Sequence, residues 1–191
     1  RDTSYWLQKN LKKLFLAGMP IKRLIEDYKL SLGDLKPYLP LDEIEMKNKV
    51  EVHYLGYYKK WIPQESYYYS VEHSNFKARP FRTQGTYSKY SSIDDKIDDL
   101  HYYTTFIKFG IGRATYDASQ EVRNKHLTRD EAIKLVSRYD GEFPDKYLED
   151  VLDYLGLKKE EFSKLCDKFR SPHLWKKTSN GWKLRHTIYE K

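Results

Sequence analysis

Hydrophobic positions along this chain change their period several times, and each change predicts a different element. Over residues 4–17, Trp6, Leu7, Leu11, Leu14 and Phe15 recur at helical spacing. Thr3 or Ser4 can cap the start of that helix and Gly18 can end it. Pro20 suits the first position of a second helix reaching about Leu30. Gly33, Pro37 and Pro40 then break the pattern, so residues 31–49 are expected as loop with at most one short helix. At residues 50–58 the run VEVHYLGYY is rich in β-branched and aromatic side chains and lacks helical period, which predicts a strand. Pro63 opens a helix to about His73, closed by Asn75. Strand, polar turn and helix in that order make a piece of an α/β layer.

From Ser92 the pattern turns mostly helical. Ser92 can cap a helix carrying Asp94 and Asp95 in its first turn, where the helix dipole favours negative charge, and the periodicity runs to Phe109. Gly110 and Gly112 interrupt it, and another helix is expected over about 114–124. Thr128 and Glu131 form a capping box ahead of a helix to Tyr139. Pro144 opens a helix ending at Gly156, and residues 158–169 make one more. At the end, residues 174–177 and 182–185 flank Asn180-Gly181, the preferred two-residue type I′ turn, which predicts a β-hairpin.

Composition narrows this picture. In 191 residues, 39% hydrophobic and 33% charged content describe a globular chain. The net charge of +7 suits an anionic partner such as nucleotide phosphates, nucleic acid or an acidic sugar, or equally a solvated basic surface. No run of five like charges occurs, so a polybasic arm for nucleic acid or membrane is not expected. Cys166 is the single cysteine, so no internal disulfide can form, which fits a reducing compartment. Without a long apolar run or a signal-peptide pattern, a cytoplasmic protein is expected. The chain opens on RDTSYW without methionine, which suggests a cleaved product or a piece of a longer polypeptide.

Candidate chemistry concentrates at residues 86–123. The six histidines form no H-x-x-x-H or H-x-H pair, and one cysteine cannot build a zinc site. Cys166 sits beside Phe162 and Leu165 and is expected as apolar filler. No G-x-S-x-G elbow is present. The step from Lys108 through Gly110 and Gly112 to Arg113 allows two readings: a phosphate clamp at a helix start, or a tight turn in which the glycines relieve crowding. In TYSKYSSIDDK, Tyr87, Lys89 and Tyr90 suit sugar or nucleotide recognition, because a phenol ring stacks while its hydroxyl bonds. Asp94 and Asp95 are weak candidates for Mg²⁺ held through water. Residues 170–177, RSPHLWKK, are basic with one aromatic and read best as a surface turn into the hairpin.

Four strings carry a resemblance: PQESYYYSVEH at 63–73, GTYSKYSSIDDKIDDLHYYTTFIKFGIGRATYDASQEVRNKHLTRDEA at 85–132, RYDGEFP at 138–144 and RSPHLWKK at 170–177. They resemble the N-acetyl sugar amidotransferases of surface-polysaccharide (lipopolysaccharide and O-antigen) biosynthesis, within the PP-loop ATP pyrophosphatase superfamily. The run Tyr54-Leu55-Gly56, Lys59 or Lys60, Pro63 and Glu65 is similar to a late strand–helix unit of that superfamily. The resemblance implies an α/β fragment, predominantly α-helical: a Rossmann-like strand–helix unit, a helical substrate domain and a C-terminal hairpin. The implied boundaries are residues 1–83, 84–170 and 171–191. The S-G-G-x-D-S loop that grips ATP in that superfamily is absent, and no Gly-Gly pair occurs. The chain therefore resembles the C-terminal half, expected to be inactive alone.

For the whole enzyme the resemblance implies an adenylated N-acetyl sugar attacked by ammonia to give an acetamidino sugar, with ATP and Mg²⁺ as cofactors. It implies a glutaminase subunit and a cyclase-like subunit as the ammonia source, a nucleotide-linked N-acetyl sugar as substrate, no nucleic acid and no membrane insertion. Chemistry and placement nominate Lys89, Lys96, Lys108, Gly110, Gly112 and Arg113 for phosphate or pyrophosphate, and Tyr87, Tyr90, His101, Tyr102, Tyr103 and Asp117 for the sugar. No catalytic residue is assigned. The rival reading is a basic helical nucleic-acid-binding module or a non-catalytic interaction domain.

Overall fold

A computed structural model describes residues 14–40, 51 and 53–189. The chain divides into two compact units, Arg1–Trp61 and Ile62–Lys191.

In the first unit, strands β1 (Phe15–Leu16) and β2 (Met19–Pro20) pair antiparallel. Ala17 and Gly18 join them, both at positive φ. Residues 14–17 are hairpin and not the end of the predicted first helix, and residues 4–13 lie outside the described residues. Helix α1 (Ile21–Glu26) follows with Pro20 as its N-cap, and stops short of Leu30. Helix α2 (Leu32–Leu35) starts on a Ser31–Asp34 capping box and runs into a 3₁₀ turn at Lys36–Tyr38. Leu14, Ile21 and Leu35 form a small core.

The strand predicted over 50–58 is corrected. Glu51, His53 and Tyr54 are not in strand conformation, and Leu55–Tyr58 is one helical turn, α3, whose Leu55 carbonyl accepts from the Lys59 N–H at 2.9 Å. Val50 and Val52 lie outside the described residues. Strand propensity measures how well a side chain packs on a pleated surface, and here Leu55, Tyr57 and Tyr58 face solvent instead. Among the described residues the two sheets are each two-stranded.

The second unit is helical, as the sequence pattern predicts. Helix α4 (Pro63–Ser74) has proline in its first turn and Asn75 in the left-handed conformation at its end. Helix α5 (Asp98–Phe109) begins later than predicted. Ser92 takes a positive φ, and Asp95 Oδ1 accepts from the Ile97 N–H at 2.9 Å, so residues 92–97 are a turn. Helices α6 (Arg113–Arg123) and α7 (Arg129–Tyr139) pack through Ala118, Ala132 and Val136, small side chains that permit close approach. The Thr128–Glu131 capping box is present. Helix α8 (Leu148–Leu155) starts after Pro144, which is buried ahead of it, and α9 (Lys159–Phe169) follows Gly156. Leu100 and Ile107 of α5, Val151 and Leu152 of α8, and Phe162 and Cys166 of α9 share the main core.

The chain ends in the predicted hairpin, β3 (Trp175–Thr178) and β4 (Gly181–Leu184), with a shifted turn. Thr178 pairs with Gly181, so Ser179-Asn180 is the two-residue loop, and Gly181 begins β4 at positive φ. Buried Trp175 donates from Nε1 to the Ile107 carbonyl at 2.8 Å and anchors the hairpin on α5.

Candidate functional site

Residues 79–92 form an ordered loop closed by its own hydrogen bonds. Arg79 N–H donates to the Lys89 carbonyl at 2.9 Å and Thr83 N–H to the Ser88 carbonyl at 3.0 Å. The Thr83 hydroxyl donates to the Ser91 carbonyl at 2.9 Å. Thr83 and Thr86 are fully buried, which is affordable for hydroxyls only when they are bonded in this way. The loop is pinned at Gly85, whose N–H donates to Glu142 Oε2 at 2.8 Å and whose carbonyl accepts from Ala114 N–H at 3.1 Å. Glu142 also takes both guanidinium nitrogens of Arg82, which lies 4.6 Å over the Tyr139 ring. The loop is thereby fixed against the start of α6.

Against this loop stands a polar cluster. Arg113 Nε donates to Asp117 Oδ1 at 2.8 Å, one turn along α6. The Thr86 hydroxyl donates to Asp117 Oδ2 at 2.7 Å. Arg113 Nη1 reaches the Tyr102 hydroxyl at 3.2 Å, and that hydroxyl also bonds Ser92 Oγ. The guanidinium lies 5.1 Å from the Tyr102 ring centroid and 5.2 Å from that of Tyr116, close enough for cation–π attraction. From the same loop, Tyr90 stacks on Tyr67 of α4 at 4.5 Å and 12°. The Asp117 side chain is 11% exposed and that of Arg113 26%, so the arginine is the more exposed member of the pair.

Burial sets the protonation of the cluster. It raises the Asp117 carboxyl above its ordinary range, against the bonds from Thr86 and Arg113. Glu121, one further turn along α6, is raised by burial too. Burial, reinforced by the charges of Glu121 and Asp117, pushes Tyr90 up to about 12 and Tyr87 higher still. Tyr102 is raised by burial, with Ser92 and Arg113 opposing. These phenols therefore stay protonated at neutral pH and act as neutral donors and acceptors. The Tyr87 hydroxyl is buried near Glu121 without a hydrogen bond of ordinary geometry. One cation, two carboxylates and several neutral hydroxyls can bind a polar, uncharged ring bearing an amide, or a single anionic oxygen at Arg113.

The glycine step has an internal anion. Gly112 N–H donates to Asp140 Oδ2 at 2.9 Å and Thr115 N–H to Asp140 Oδ1 at 3.1 Å, and the Thr115 hydroxyl bonds the same carboxylate. A Cβ on Gly112 would stand 2.6 Å from Asp140 Oδ1. Glycine is needed there so that this carboxylate can cap α6, the place the phosphate reading gives to a ligand. Gly110 ends α5 in the left-handed conformation beneath Leu184.

The other candidates lie apart. Lys89 is exposed, with Nζ 3.5 Å from the Pro80 carbonyl. Lys96 pairs with Asp150 at 2.6 Å on the surface. Lys108 and His101 line a separate apolar groove of about 460 Å³ between α5 and α9, with Leu165 and Phe169. Tyr103 packs against Phe143 and Phe162 and meets Arg170 Nη2 at 3.5 Å, a place in the core. Asp94 is exposed and Asp95 caps the turn before α5. Among the described residues no three His, Cys, Asp or Glu converge as a metal ion needs. At the α6 start, the Asp140 carboxylate takes the backbone N–H groups of Gly112 and Thr115 that the phosphate reading gives to a ligand.

Thr86, Tyr67 and Glu121 join the cluster without having been singled out, and Ser92, expected as a helix cap, bonds Tyr102 instead. Thr86 and Ser92 lie inside the string that drew attention, and Glu121 follows Asp117 by one helical turn, a spacing that places both on one face. Tyr67 has no local signal, since its partner lies across the loop.

Residues 84–189 match the family described as LPS biosynthesis protein WbpG-like, C-terminal domain. The chain belongs to that family, which supports a role in lipopolysaccharide or related surface-glycan biosynthesis. No curated protein matches the chain. Among the described residues no helix is long and apolar enough to cross a membrane.

Proposed function

We propose that this chain is the sugar-holding part of an ATP-dependent amidotransferase that converts the N-acetyl group of a nucleotide-linked sugar into an acetamidino group during surface-glycan biosynthesis. The observation that carries the reading is the Arg113–Asp117–Thr86 network set between Tyr90 and Tyr102, inside the matched family region. Asp117 and Tyr102 fix the guanidinium of Arg113, so that its remaining donors can take a carbonyl oxygen of an acetamido group. The exposed face of Tyr116 can take the apolar side of a pyranose ring, and the neutral phenols of Tyr90 and Tyr102 can bond its hydroxyls. An acetamido group held in this way is oriented and partly shielded from water, which favours attack by ammonia over hydrolysis.

ATP and Mg²⁺ serve as cofactors of the whole enzyme and are gripped outside these residues, so no step of the nucleotide chemistry is assigned to them. Ammonia comes from a glutaminase subunit acting with a cyclase-like subunit. The test uses the full-length protein with ATP, ammonium and nucleotide-linked diacetamido sugars, following pyrophosphate release and formation of the amidine. Release that requires sugar and ammonium together supports the reading; no release with any such sugar contradicts it.

A further inference from the structure

Helix α5 serves two faces. Tyr102 bonds Arg113, whereas His101, Thr105 and Lys108, at i, i+4 and i+7, make a stripe on another side. Facing that stripe, Leu165 and Phe169 of α9 stand one turn apart, with Phe162 and Cys166 of the same helix buried. Between the two helices lies the groove of about 460 Å³. Its rim is apolar and open: Phe109, Leu155, Leu165 and Phe169 are 40% to 59% exposed.

Charge and size together say what fits there. Lys108 and His101 line the groove, and no aspartate or glutamate does. Lys108 makes no ion pair among the described residues, and its Nζ lies 5.3 Å from the ring centroid of Phe109 at the rim. A lysine can lay its carbon stem along an apolar wall and keep its charge at the mouth. Small-molecule sites enclose roughly 300–1,000 Å³ and are mostly apolar, with a few polar groups that fix orientation. Here those groups are Lys108, His101 and Thr105. An apolar chain with an anionic head meets both conditions. Lys108 supplies one fixed charge, which a carboxylate matches, whereas a phosphate monoester carries nearly two.

We propose that the groove between α5 and α9 binds a free aliphatic carboxylate of medium chain length, with its chain along Leu165 and Phe169 and its head at Lys108. The inference is independent of the sugar reading, because no residue that lines the groove belongs to the network around Arg113. It gives Lys108 and His101, which stand outside that network, a site of their own.

The test is isothermal titration of the full chain with decanoate, octanoate and decyltrimethylammonium, each below its micelle concentration. Decanoate is expected to bind once per chain. Octanoate, two methylenes shorter, should bind roughly tenfold more weakly. Decyltrimethylammonium, with the same chain and the opposite charge, should also bind roughly tenfold more weakly than decanoate. Lys108→Gln should weaken decanoate roughly threefold to fivefold and leave decyltrimethylammonium no weaker. Leu165→Asp should weaken decanoate roughly tenfold or more. The control Lys134→Gln, on α7, should bind like the parent. Circular dichroism and thermal unfolding verify that the variants fold; if Leu165→Asp does not, Phe169→Gln, at a more exposed side chain, replaces it with a loss in the same direction. No saturable binding of decanoate by the parent, equal binding of the anionic and cationic chains, or decanoate binding unchanged in the Lys108 and Leu165 variants overturns the proposal. An acidic amphipathic helical peptide that binds where decanoate does not also overturns it, and makes the groove a docking site for a protein helix.

Discussion

Arg113 and Asp117 stand one turn apart on α6 and are joined by a 2.8 Å hydrogen bond from Nε to Oδ1, with Thr86 closing the other carboxylate oxygen from the preceding loop. The pair does two things. It ties the loop to the helix, and it holds a guanidinium near the rings of Tyr102 and Tyr116. Asp117→Ala leaves Arg113 without its partner and a buried Thr86 hydroxyl without an acceptor. A loss of roughly 2–3 kcal/mol is expected in urea unfolding. Asp117→Asn keeps the shape and should cost less than half as much. If the two variants prove equally stable, the carboxylate is not what holds the loop.

The second relationship is between Gly112 and Asp140. Gly112→Ala puts a methyl where the capping carboxylate sits, and Asp140→Ala removes that carboxylate. Each should cost roughly 1–2 kcal/mol, the usual worth of a helix cap. Because both act on one contact, the double variant should lose clearly less than the sum. Full additivity in a thermal-unfolding cycle would show that the glycine is needed for another reason.

Asp99 gives a prediction in pH. It is buried, both of its carboxylate oxygens lack a hydrogen-bond partner, and Arg79 Nη1 stands 3.9 Å away. Burial raises its pKa, Asp98 and Glu142 push the same way, and Arg79 and Lys146 oppose. A carboxyl raised in the folded state contributes its full stability below the unfolded pKa and loses it as pH rises through the folded pKa. Asp99→Asn removes that titration. The stability of the variant relative to the parent should therefore climb between about pH 4 and pH 7. Chemical denaturation at the two pH values reads the difference, and a falling one contradicts the assignment.

The hairpin anchor can be weighed separately. Trp175→Phe keeps most of the buried ring and deletes the bond to the Ile107 carbonyl. A loss of roughly 1–2 kcal/mol is expected, and amide exchange should quicken in β3 and β4 before it does in α8. Uniform quickening across the unit would mean that the hairpin and the helical core open together.

Much of this fold was legible because its signals are local. The Thr128–Glu131 box, Pro63 with Asn75, and Gly110 after Phe109 each act within a turn of the helix they bound. What misled was either propensity without a partner or a contact far along the chain. VEVHYLGYY has strand-forming side chains, yet its described residues show no strand pairing. Ser92 looks like a helix cap until the loop from Arg79 draws it into a positive φ. In the site, Tyr90, Tyr102, Arg113 and Asp117 were visible as an unusual mixture, since hydroxyls and charge at such density are seldom needed for packing. Lys96 and Lys108 stood out by charge and by their places beside the aspartates and the glycine step, and neither signal tells which way a side chain points. Asp140 and Glu142 organise the start of α6 and the loop from more than twenty residues away, and neither carries a pattern that announces it.

The central claim is that the cluster around Arg113 holds the N-acetyl sugar. Isothermal titration of the folded chain with a nucleotide-linked diacetamido sugar tests it most directly, comparing the parent with Arg113→Ala, Tyr90→Ala and Lys108→Ala. Saturable binding is expected, at least tenfold weaker in the Arg113 and Tyr90 variants and unchanged in the Lys108 variant, whose side chain lies at the separate groove. No binding by the parent, or losses that follow Lys108 while Arg113→Ala binds normally, would contradict the account.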